Sequence, residues 1–440
     1  MKFILTSLIC KALCLAGKIL GGGTDLPGKI ALKIYPDVLK HIKFSGKVVA
    51  VTGSNGKTTT SNLISHILRK NSYSVTSNES GSNMTSGIAT ALISACTLGG
   101  KIKSDFTVLE VDECYARFIF DGIKPDYFLV LNLLRDQVVR NGNPDLVFEK
   151  ISEAVAKCPD MTLVLNANEP ISQALCLKHK NKAIYFAMDK TSRSTDTCLS
   201  GTNDAKICPK CYHKLNHSFF HYNHLGVFAC SNCGYSSHTP DYLGTEVDFK
   251  ERSVKINGNK ISVPFDTTFN MFNTIAAASV LAELGVTYEQ IEAHIGSFGG
   301  AKGRLESFMF EGRPVTLMMT KQNAASLDQS ISFVLDQESD KTVVLFINNV
   351  LYLDYKDISW LYDVAFGRML GKVKNILCTG NRALDAAVCL KCSGFAGGTL
   401  LYEPDVAKVK DALRKTEGDI YLLAASAFGH EGKIIEELKK

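Results

Sequence analysis

The chain has 440 residues, of which 45% are hydrophobic and 21% charged, and its formal net charge is +5. This length supplies enough core for two or three domains, and the composition is that of a folded globular protein, which excludes a disordered or fibrous chain. The mild positive charge is compatible with anionic partners such as phosphates or a membrane surface but requires none of them.

The N-terminal segment combines apolar residues with lysines. Lys11 and Lys18 interrupt the apolar run and no small-residue cleavage site is clear, so it is a poor signal peptide, and it is too short and broken to cross a bilayer. We expect an amphipathic helix that either packs on the core or lies on a membrane surface. A glycine-rich loop at residues 21–28 should follow it. Only about 45 residues precede the first strand, too few for a nucleotide-sugar-binding domain of ordinary size.

The segment 48–60 organises the chain, because four apolar residues predict a buried strand that runs into T-G-S-N-G-K-T-T and a helix. Such a turn directs backbone N–H groups at phosphate oxygens, with a lysine charge and a hydroxyl for Mg²⁺. It is shorter than the usual Walker pattern, since Val51 replaces the first glycine of that pattern. An ordinary glycine turn with a solvated lysine is the alternative. The candidate nucleotide-binding residues here are Gly53, Asn55, Gly56, Lys57, Thr58 and Thr59.

Further apolar segments predict a doubly wound, mostly parallel sheet, with strands at 74–76, 106–111, 127–131, 161–165 and 183–186. Most of these strands end in polar residues, where ligands bind in such sheets. Glu110, Asp112 and Glu113 close the second of them. They are candidates for a metal site, and two solvated acids at a helix start are the alternative. A nucleotide site of this kind is cytoplasmic, so we expect reduced thiols rather than disulfides among the 14 cysteines.

Two C-x₂-C pairs interrupt the helical periodicity at about residues 200–240. They are separated by 18 residues and comprise Cys208, Cys211, Cys230 and Cys233. Four thiolates from two tight turns predict a structural Zn²⁺ ribbon with no open position for catalysis. The four histidines between the pairs are expected to pack or to face solvent rather than to bind metal. They are His213, His217, His221 and His224.

The remaining sequence predicts a hinge and a second, Rossmann-like α/β unit. Asn270 and Asn273 lie on one face of a helix start, where they contact a ligand or cap the helix. Residues 299–306, with Arg304, suggest a hinge. Strands are predicted at 315–319, 343–347, 375–378 and 419–423, and helices at 325–335, 358–369, 383–390, 406–414 and 432–438. The predicted organisation is a helical segment 1–45, an ATP-binding domain 46–302 and a C-terminal domain 303–440.

The turn T-G-x-N-G-K-T resembles that of the Mur ligase and folylpolyglutamate synthetase superfamily, which makes amide bonds through an acyl phosphate. More specific marks are the four-cysteine ribbon, N-L-L-R-D-Q at 132–137, D-I-S-W-L-Y-D at 357–363 and T-G-N-R-A at 379–383. Together they resemble the MurT family over essentially the whole chain. MurT proteins are the ligase subunits of lipid II isoglutaminyl synthases. A departure is K-Q-N-A-A at 321–325, where the family tends to K-N-P-A-G.

The resemblance implies an ATP- and Mg²⁺-dependent ligase that amidates the α-carboxylate of D-glutamate at stem position two of lipid II, in peptidoglycan synthesis. A GatD-type glutamine amidotransferase would supply ammonia as the partner in a heterodimer. The site would be cytoplasmic, at the inner face of the membrane, and no nucleic acid is expected.

The resemblance also implies roles for individual residues. Lys57 and Arg304 would neutralise phosphate charge, with Mg²⁺ held by Thr58 and by Glu110 (Glu113 is the rival). Asn270 and Asn273 would contact the nucleotide. Asp357 would complete the Cys-His pair of the glutaminase. Asp354 and Asp363 are its rivals, and a helix N-cap is the alternative role.

Two other functions remain open from the sequence. The first is a Mur-type amide ligase acting on a pteroylglutamate or a murein peptide, which would use an amino acid nucleophile without a glutaminase. The second is a zinc-ribbon ATPase that binds nucleic acid, although residues 202–238 hold only three lysines and no arginine.

Overall fold

The computed structural model describes residues 1–20, 25–79, 82–136, 138–299, 305–348, 357–396, 399–426 and 432–439. The helices in these ranges are α1 Lys2–Leu20, α2 Leu26–Ile34, α3 Lys57–Lys70, α4 Thr85–Ala95, α5 Ala116–Ile119, α6 Val138–Asn141, α7 Pro144–Ala156, α8 Pro170–Gln173, α9 Leu175–Lys178, α10 Thr268–Glu283, α11 Tyr288–Ile295, α12 Ala324–Leu335, α13 Ala383–Cys392, α14 Val409–Leu413 and α15 Gly432–Lys439. The strands are β1 Lys43–Phe44, β2 Lys47–Thr52, β3 Val75–Ser77, β4 Lys101–Ile102, β5 Phe106–Glu110, β6 Tyr127–Val130, β7 Thr162–Asn166, β8 Ala183–Met188, β9 Asn216–Tyr222, β10 Leu225–Ala229, β11 Tyr242–Asp248, β12 Ser253–Ile256, β13 Asn259–Ser262, β14 Leu305–Phe310, β15 Arg313–Met319, β16 Lys341–Asn348, β17 Asn375–Thr379, β18 Leu400–Tyr402 and β19 Asp419–Ser426.

A nine-stranded sheet carries the phosphate loop. Its order in the described ranges is β13-β12-β11-β8-β7-β6-β2-β5-β3, and the pairs from β11 to β3 are parallel. Alternate residues of β2 enter different cores, since Val48 and Ala50 join one apolar cluster whereas Val49 and Val51 join the other. A core on each face is the doubly wound arrangement that the sequence predicted.

The N-terminal helices pack on one edge of this sheet. α1 buries Phe3 and Cys10 against α2 and α4 and leaves its other face exposed. The predicted loop 21–28 ends earlier than expected, because α2 begins at Leu26; residues 21–24 lie outside the described ranges. Gly28 inside α2 does not break the helix. A Cβ there would lie 1.8 Å from the carbonyl oxygen of Ser86, so glycine permits the close approach to α4. In the described ranges no helix is long and apolar enough to span a membrane.

The two cysteine pairs flank a small antiparallel hairpin, β9–β10, which is separate from the main sheet. The chain leaves the sheet after β8, forms this hairpin and returns as β11, which pairs parallel to β8. The ribbon is therefore an insertion at one edge of the parallel part of the sheet.

The second sheet has six strands in the described ranges, in the order β14-β15-β19-β16-β17-β18, and all pairs but the first are parallel. We call this sheet with its helices the C-terminal unit. The predicted helix 358–369 is wrong: two 3₁₀ turns, Ser359–Asp363 and Phe366–Met369, flank an extended Val364. The cause is Asp328 on α12, because its buried carboxylate accepts the N–H of Ala365, which therefore cannot continue a helical ladder.

Candidate active site

The phosphate loop begins where β2 ends and closes at the first residue of α3. Gly53 and Gly56 have φ of 138° and 93°, values that only glycine adopts without strain. A Cβ at Gly56 would lie 2.2 Å from Oδ1 of Asn273, so a side chain there would have to displace the Asn273 amide. Asn132, which follows β6, holds the loop through two hydrogen bonds to the backbone of Asn55. Its side chain accepts a hydrogen bond from the Asn55 N–H (2.9 Å) and donates one to the Asn55 carbonyl oxygen (3.0 Å).

Lys57 is buried at the start of α3. Its Nζ donates to Glu113 Oε1 (2.7 Å) and to the carbonyl oxygen of Gly53 (2.6 Å). Burial alone would lower the pKa of Lys57, but the carboxylates of Glu113 and Glu110 outweigh burial and raise it above its usual value. The lysine is therefore held as a cation that points into the loop, which is what phosphate binding needs.

An oxygen-rich cleft opens beside Lys57. Glu110 ends β5 and accepts a hydrogen bond from Asn83 Nδ2 (2.9 Å). Glu113 is the carboxylate paired with Lys57, and Thr58 lies in the same wall. Carboxylate, amide and hydroxyl oxygens are the ligands that Mg²⁺ prefers, so this donor set fits that ion. The structure brings Thr58, Glu110 and Glu113 to one cleft, and Asp136 lines it as well.

A second, more apolar pocket lies on the other side of the loop. Asn270 and Asn273 are buried in the first two turns of α10, and both line it. They do not cap the helix, because its N-cap residue is Thr267. Asn270 Nδ2 donates to Thr267 Oγ1 at 2.7 Å. The other lining residues include Thr59, Tyr222, Phe265, Phe269, Met318 and Met319. An apolar pocket beside a phosphate loop suits a nucleobase and ribose.

The C-terminal unit contacts the loop directly. Asn323 Nδ2 donates to Asn55 Oδ1 (3.3 Å) and to Asp136 Oδ1 (3.0 Å), and Ser326 Oγ donates to the same Asn55 oxygen (3.1 Å). Lys321 donates to the carbonyl of Ser54. Asp136 and Ser326 were not predicted as site residues. The signal for Asp136 was its place in a polar run after a strand, whereas nothing in the sequence marked Ser326.

The four cysteines of the ribbon come together as the spacing predicted. Their Sγ atoms all lie within 4.8 Å of one another, with 3.6 Å between Cys208 and Cys233 and 3.4 Å between Cys211 and Cys230. Four thiolates about 2.3 Å from a tetrahedral Zn²⁺ would lie about 3.8 Å apart, so this geometry fits the ion.

The histidines of the ribbon are outside that cluster within the described residues. His224 is buried against Glu169 (2.7 Å), whose carboxylate also caps α8. His221 is buried too, with Nε2 at 3.0 Å from the Met188 carbonyl and Nδ1 at 3.0 Å from Ser194 Oγ. Burial lowers the pKa of His221 to about 4. These side chains therefore pack the ribbon onto the main sheet, as expected.

The candidate glutaminase residues lie on the C-terminal unit. Asp357 is exposed and closes a local turn, accepting from the N–H (2.8 Å) and Oγ (3.0 Å) of Ser359. Asp363 is committed to an ion pair with Arg135 at 2.9 Å. Asp354 and Arg304 lie outside the described residues, so their predicted roles stay predictions.

Comparison with known proteins was made on both sequence and structure. Family models match for the Mur ligase middle domain over residues 51–237 and for the MurT ligase C-terminal region over residues 320–427. The lipid II isoglutaminyl synthase (glutamine-hydrolysing) subunit MurT of Staphylococcus aureus (strain N315) is 30% identical over 413 residues, which cover 93% of this chain and 89% of that protein. The same subunit of Streptococcus pneumoniae (strain ATCC BAA-255 / R6) is 29% identical over 380 residues, or 86% of this chain and 83% of that protein.

Solved structures share the fold at low identity. A pseudomurein peptide ligase type C from Methanothermus fervidus aligns with a TM-score of 0.70 and 21% identity over 92% of this chain and 81% of its own. MurF from Acinetobacter baumannii aligns with a TM-score of 0.67 and 16% identity over 93% and 80%. MurF ligase from Thermotoga maritima, in complex with ADP, gives 0.63 and 16% over 93% and 83%.

The nine-stranded sheet, the phosphate loop that follows its strand β2 and the second sheet that closes against that loop define a Mur-type ligase. Within that class the C-terminal unit matches one branch in particular. The chain belongs to the MurT family.

Proposed function

We propose that this chain is the ligase subunit of a lipid II isoglutaminyl synthase and uses ATP to amidate the α-carboxylate of D-glutamate at stem position two of lipid II. The observation that carries the proposal is the buried, protonated Lys57 beside an oxygen-lined cleft, in a chain that aligns with a MurT subunit over 93% of its length. The product, D-isoglutamine in lipid II, belongs to peptidoglycan synthesis.

The reaction has two balanced steps. A carboxylate oxygen of the substrate attacks the γ-phosphorus of ATP, giving an acyl phosphate and ADP. Ammonia then attacks the acyl carbon, the bond from that carbon to the phosphate oxygen breaks, and the proton lost by nitrogen leaves with hydrogen phosphate as the amide forms. An acyl phosphate hydrolyses readily in water, so closure of the C-terminal unit over the loop through Asn323 and Ser326 protects it.

The residues of the site have separable roles in these steps. Lys57 and the N–H groups of residues 53–58 bind the phosphates. Asn270 and Asn273 hold the nucleotide, and Arg304 neutralises the γ-phosphate. Mg²⁺, which supplies charge neutralisation when bound, would be held by Thr58 and Glu110, with Glu113 adjacent. In the ribbon, Cys208, Cys211, Cys230 and Cys233 would hold a structural Zn²⁺.

The family of the chain supports a partner. We propose a GatD-type glutamine amidotransferase that docks on the C-terminal unit in a heterodimer, with Asp357 completing its Cys-His pair. Asp357 is exposed, whereas Asp363 is already paired with Arg135. Asp357→Asn should abolish glutamine-driven amidation in the complex and spare ammonium-driven amidation. Asp363→Asn is the matched rival, and equal loss of both activities in Asp357→Asn would remove Asp357 from the glutaminase.

The domain boundaries predicted above, 1–45, 46–302 and 303–440, stand as part of this proposal. We also propose that the protein works in the cytoplasm at the inner face of the membrane, since lipid II is membrane-borne. α1 supports this placement, because Leu5, Leu15 and Ile19 are 59%, 63% and 77% exposed on a helix that has lysines and no acidic residue.

The experiment that tests the ligase activity is mass spectrometry of lipid II incubated with this chain, ATP, Mg²⁺ and ammonium. The expected product carries the mass change of a carboxyl converted to a carboxamide, with one ADP formed per amide. Lys57→Gln should abolish it, and Lys70→Gln, at the exposed end of the same helix, should not. An unchanged lipid II, even with the partner and glutamine added, would contradict the proposal.

A further inference from the structure

A groove lies between the N-terminal helices and the edge of the nine-stranded sheet, and it belongs neither to the phosphate cleft nor to the nucleotide pocket. α1 and α4 line it together with β3, which ends the order of that sheet, and the last turn of α3. Small residues of α4, namely Gly87, Ala91 and Ala95, keep the space open. The groove is therefore a preformed space for a ligand other than the nucleotide.

Every charged residue that lines the groove is a cation. Within the described residues its lining has Lys11 and Lys18 from α1 and Arg69 from α3, and no carboxylate. Lys11 Nζ donates to two carbonyl oxygens at the C-terminal end of α4 (2.9 and 2.7 Å), which holds this charge in place. Arg69 pairs with Glu79 (2.6 Å), whereas Lys11 and Lys18 form no ion pair within the described ranges. Two uncompensated positive charges favour an anionic ligand.

The exposed apolar face of α1 borders the groove. Leu15 is 63% exposed and lines the groove, and Ile19, one turn further along the helix, is 77% exposed. Lys11 and Lys18 are seven residues apart, so they lie on one side of α1, next to this apolar face. A ligand here meets positive charge in the groove and apolar surface beside it. That combination suits a phosphate or diphosphate ester of a long apolar alcohol better than a free phosphate.

The groove also reaches the wall of the phosphate cleft. Asn78, which follows β3, lines the groove and accepts a hydrogen bond from the N–H of Glu110 (2.8 Å). Its Nδ2 donates to the carbonyl oxygen of Glu110 (2.9 Å), and the Glu110 side chain lines the cleft. Asn83 lines the cleft as well, only four residues before Gly87 of the groove. A ligand held in the groove can therefore extend past the start of α4 and place a reacting group in the cleft.

We infer that this groove binds the diphosphate of the isoprenoid-linked substrate; the inference rests on the proposed function and names the part of the substrate that the groove recognises. Lys18 and the third N–H of Lys11 donate to the diphosphate oxygens. The isoprenoid chain lies along the exposed face of α1, and the peptide stem runs to the phosphate cleft. The phosphates of ATP bind at the loop around Lys57, so the chain has two separate phosphate sites.

Binding of farnesyl diphosphate, a short isoprenoid diphosphate, to the full chain tests the inference. Equilibrium dialysis in a neutral detergent without ATP excludes any attraction to an anionic membrane. Lys18→Gln should raise Kd roughly 10-fold, the loss typical of one charge-assisted hydrogen bond. Lys33→Gln changes an exposed lysine of α2 outside the groove and is the matched control. Lys57→Gln should bind farnesyl diphosphate as the wild type does, because the phosphate loop is not part of the groove.

A second variant fills the groove without changing its charge. Ala91→Phe should also weaken binding of farnesyl diphosphate, whereas Ala91→Ser, which stays small, should not. In ammonium-driven amidation, Lys18→Gln should raise the KM for lipid II in the same proportion as Kd.

Two results would overturn the inference. Unchanged binding in Lys18→Gln, with a loss in Lys57→Gln instead, would place the diphosphate at the phosphate loop. Displacement of farnesyl diphosphate by an equal concentration of phosphatidylglycerol in the same detergent would make the groove a general site for anionic lipids. Failure of the proposed function is distinguishable, because the wild type would then bind farnesyl diphosphate in the groove but leave lipid II unchanged.

Discussion

At the scale of single residues, the phosphate loop depends on positions where no side chain fits. Gly56 combines a φ of 93° with a gap of 2.2 Å between a would-be Cβ and Asn273 Oδ1. Asn273 belongs to α10, so the sequence near residue 56 gives no sign of this second constraint. Glycine at 56 therefore serves the backbone turn and the nucleotide pocket together.

Gly56→Ala should cost activity in addition to the stability lost to backbone strain at φ 93°. The added methyl group displaces Asn273 and distorts the N–H groups that face the phosphates, so we expect kcat/KM for ATP to fall roughly 100-fold, which corresponds to about 3 kcal/mol. Gly296→Ala is the control, because its φ is negative and nothing lies within 4 Å of a Cβ there. Steady-state kinetics with both variants measure kcat/KM for ATP. A wild-type value in Gly56→Ala would contradict the prediction.

His221 makes stability depend on pH. Its Nε2 faces a carbonyl, which can only accept, so the neutral ring carries its proton there, and burial lowers the pKa of His221 to about 4. A folded pKa below the unfolded value gives stability that is complete above about pH 6.5 and is lost as pH falls towards 4, by about 3 kcal/mol in all. Urea unfolding from pH 7 to 4.5 should show a slope that flattens in His221→Gln.

Sequence reasoning found the residues that a local pattern marks. Lys57, Thr58, Asn270 and Asn273 belong to short motifs at the ends of predicted elements, and the structure brings them around one loop. Ser326 could not be found in this way, because its contact with Asn55 spans 271 positions of the chain. Nothing in the sequence fixes which distant polar side chain completes a loop.

At the scale of elements, the loop that leads into the ribbon, which contains Gly201 and Asp204, packs against the C-terminal unit. Asp204 pairs with Arg135, and Gly201 lies so close to the backbone of Asp363 that a Cβ would come within 2.2 Å of its carbonyl oxygen. Asp328 of α12, whose buried carboxylate accepts the N–H of Ala365, also faces the N–H of Gly201. The ribbon is thus mechanically connected to both units.

Loss of the Zn²⁺ that we propose for the ribbon should loosen this contact without unfolding the main sheet. In the double variant Cys208→Ser/Cys233→Ser, hydrogen exchange over residues 198–238 should speed up by an amount equal to at least about 2 kcal/mol of opening free energy. Amidation should fall with it. Cys392→Ser replaces an exposed cysteine far from the cluster and is the control. Two results together would contradict a structural metal. They are unchanged hydrogen exchange in the double variant and the absence of zinc from the wild-type protein by elemental analysis.

Helices and strands could be predicted from the sequence where a single pattern of apolar residues continued along the whole segment. The parallel strands β2, β5, β6, β7 and β8 are apolar runs that a buried sheet requires, and they match the predicted segments closely. The region 358–369 failed because Asp328, from another helix, captures a backbone N–H that a helix would have used. The predicted loop was wrong for residues 26–28, where α2 has already begun, because Gly28 is required by close packing against α4 and not by a turn.

At the scale of the whole molecule, α1 presents apolar residues outward while its other face is part of the core. Replacing two exposed residues, Leu5→Glu/Leu8→Glu, should reduce partition to anionic vesicles roughly 100-fold, because each leucine contributes about 1.5 kcal/mol or more when buried in lipid. Leu98→Glu/Leu177→Glu changes the same number of similarly exposed leucines elsewhere and should leave binding intact. Vesicle co-sedimentation measures both. Equal loss of vesicle binding in the two double variants would show that α1 is not the membrane-binding element.

The overall arrangement of two α/β sheets followed from the sequence, because alternating strands and helices specify each sheet separately. Their mutual placement did not, since it depends on polar contacts such as Asn323 with Asn55 that carry no periodicity.

The contact of Asn323 and Ser326 with Asn55 has a consequence for how the protein melts. Each sheet has apolar cores of its own, so the two can lose structure in separate calorimetric transitions when few bonds join them. ATP bound between the phosphate loop and α12 adds its binding energy only while both sheets are folded. In differential scanning calorimetry, bound ATP should therefore merge two heat-capacity peaks into one. The substrate then couples the unfolding of the two sheets.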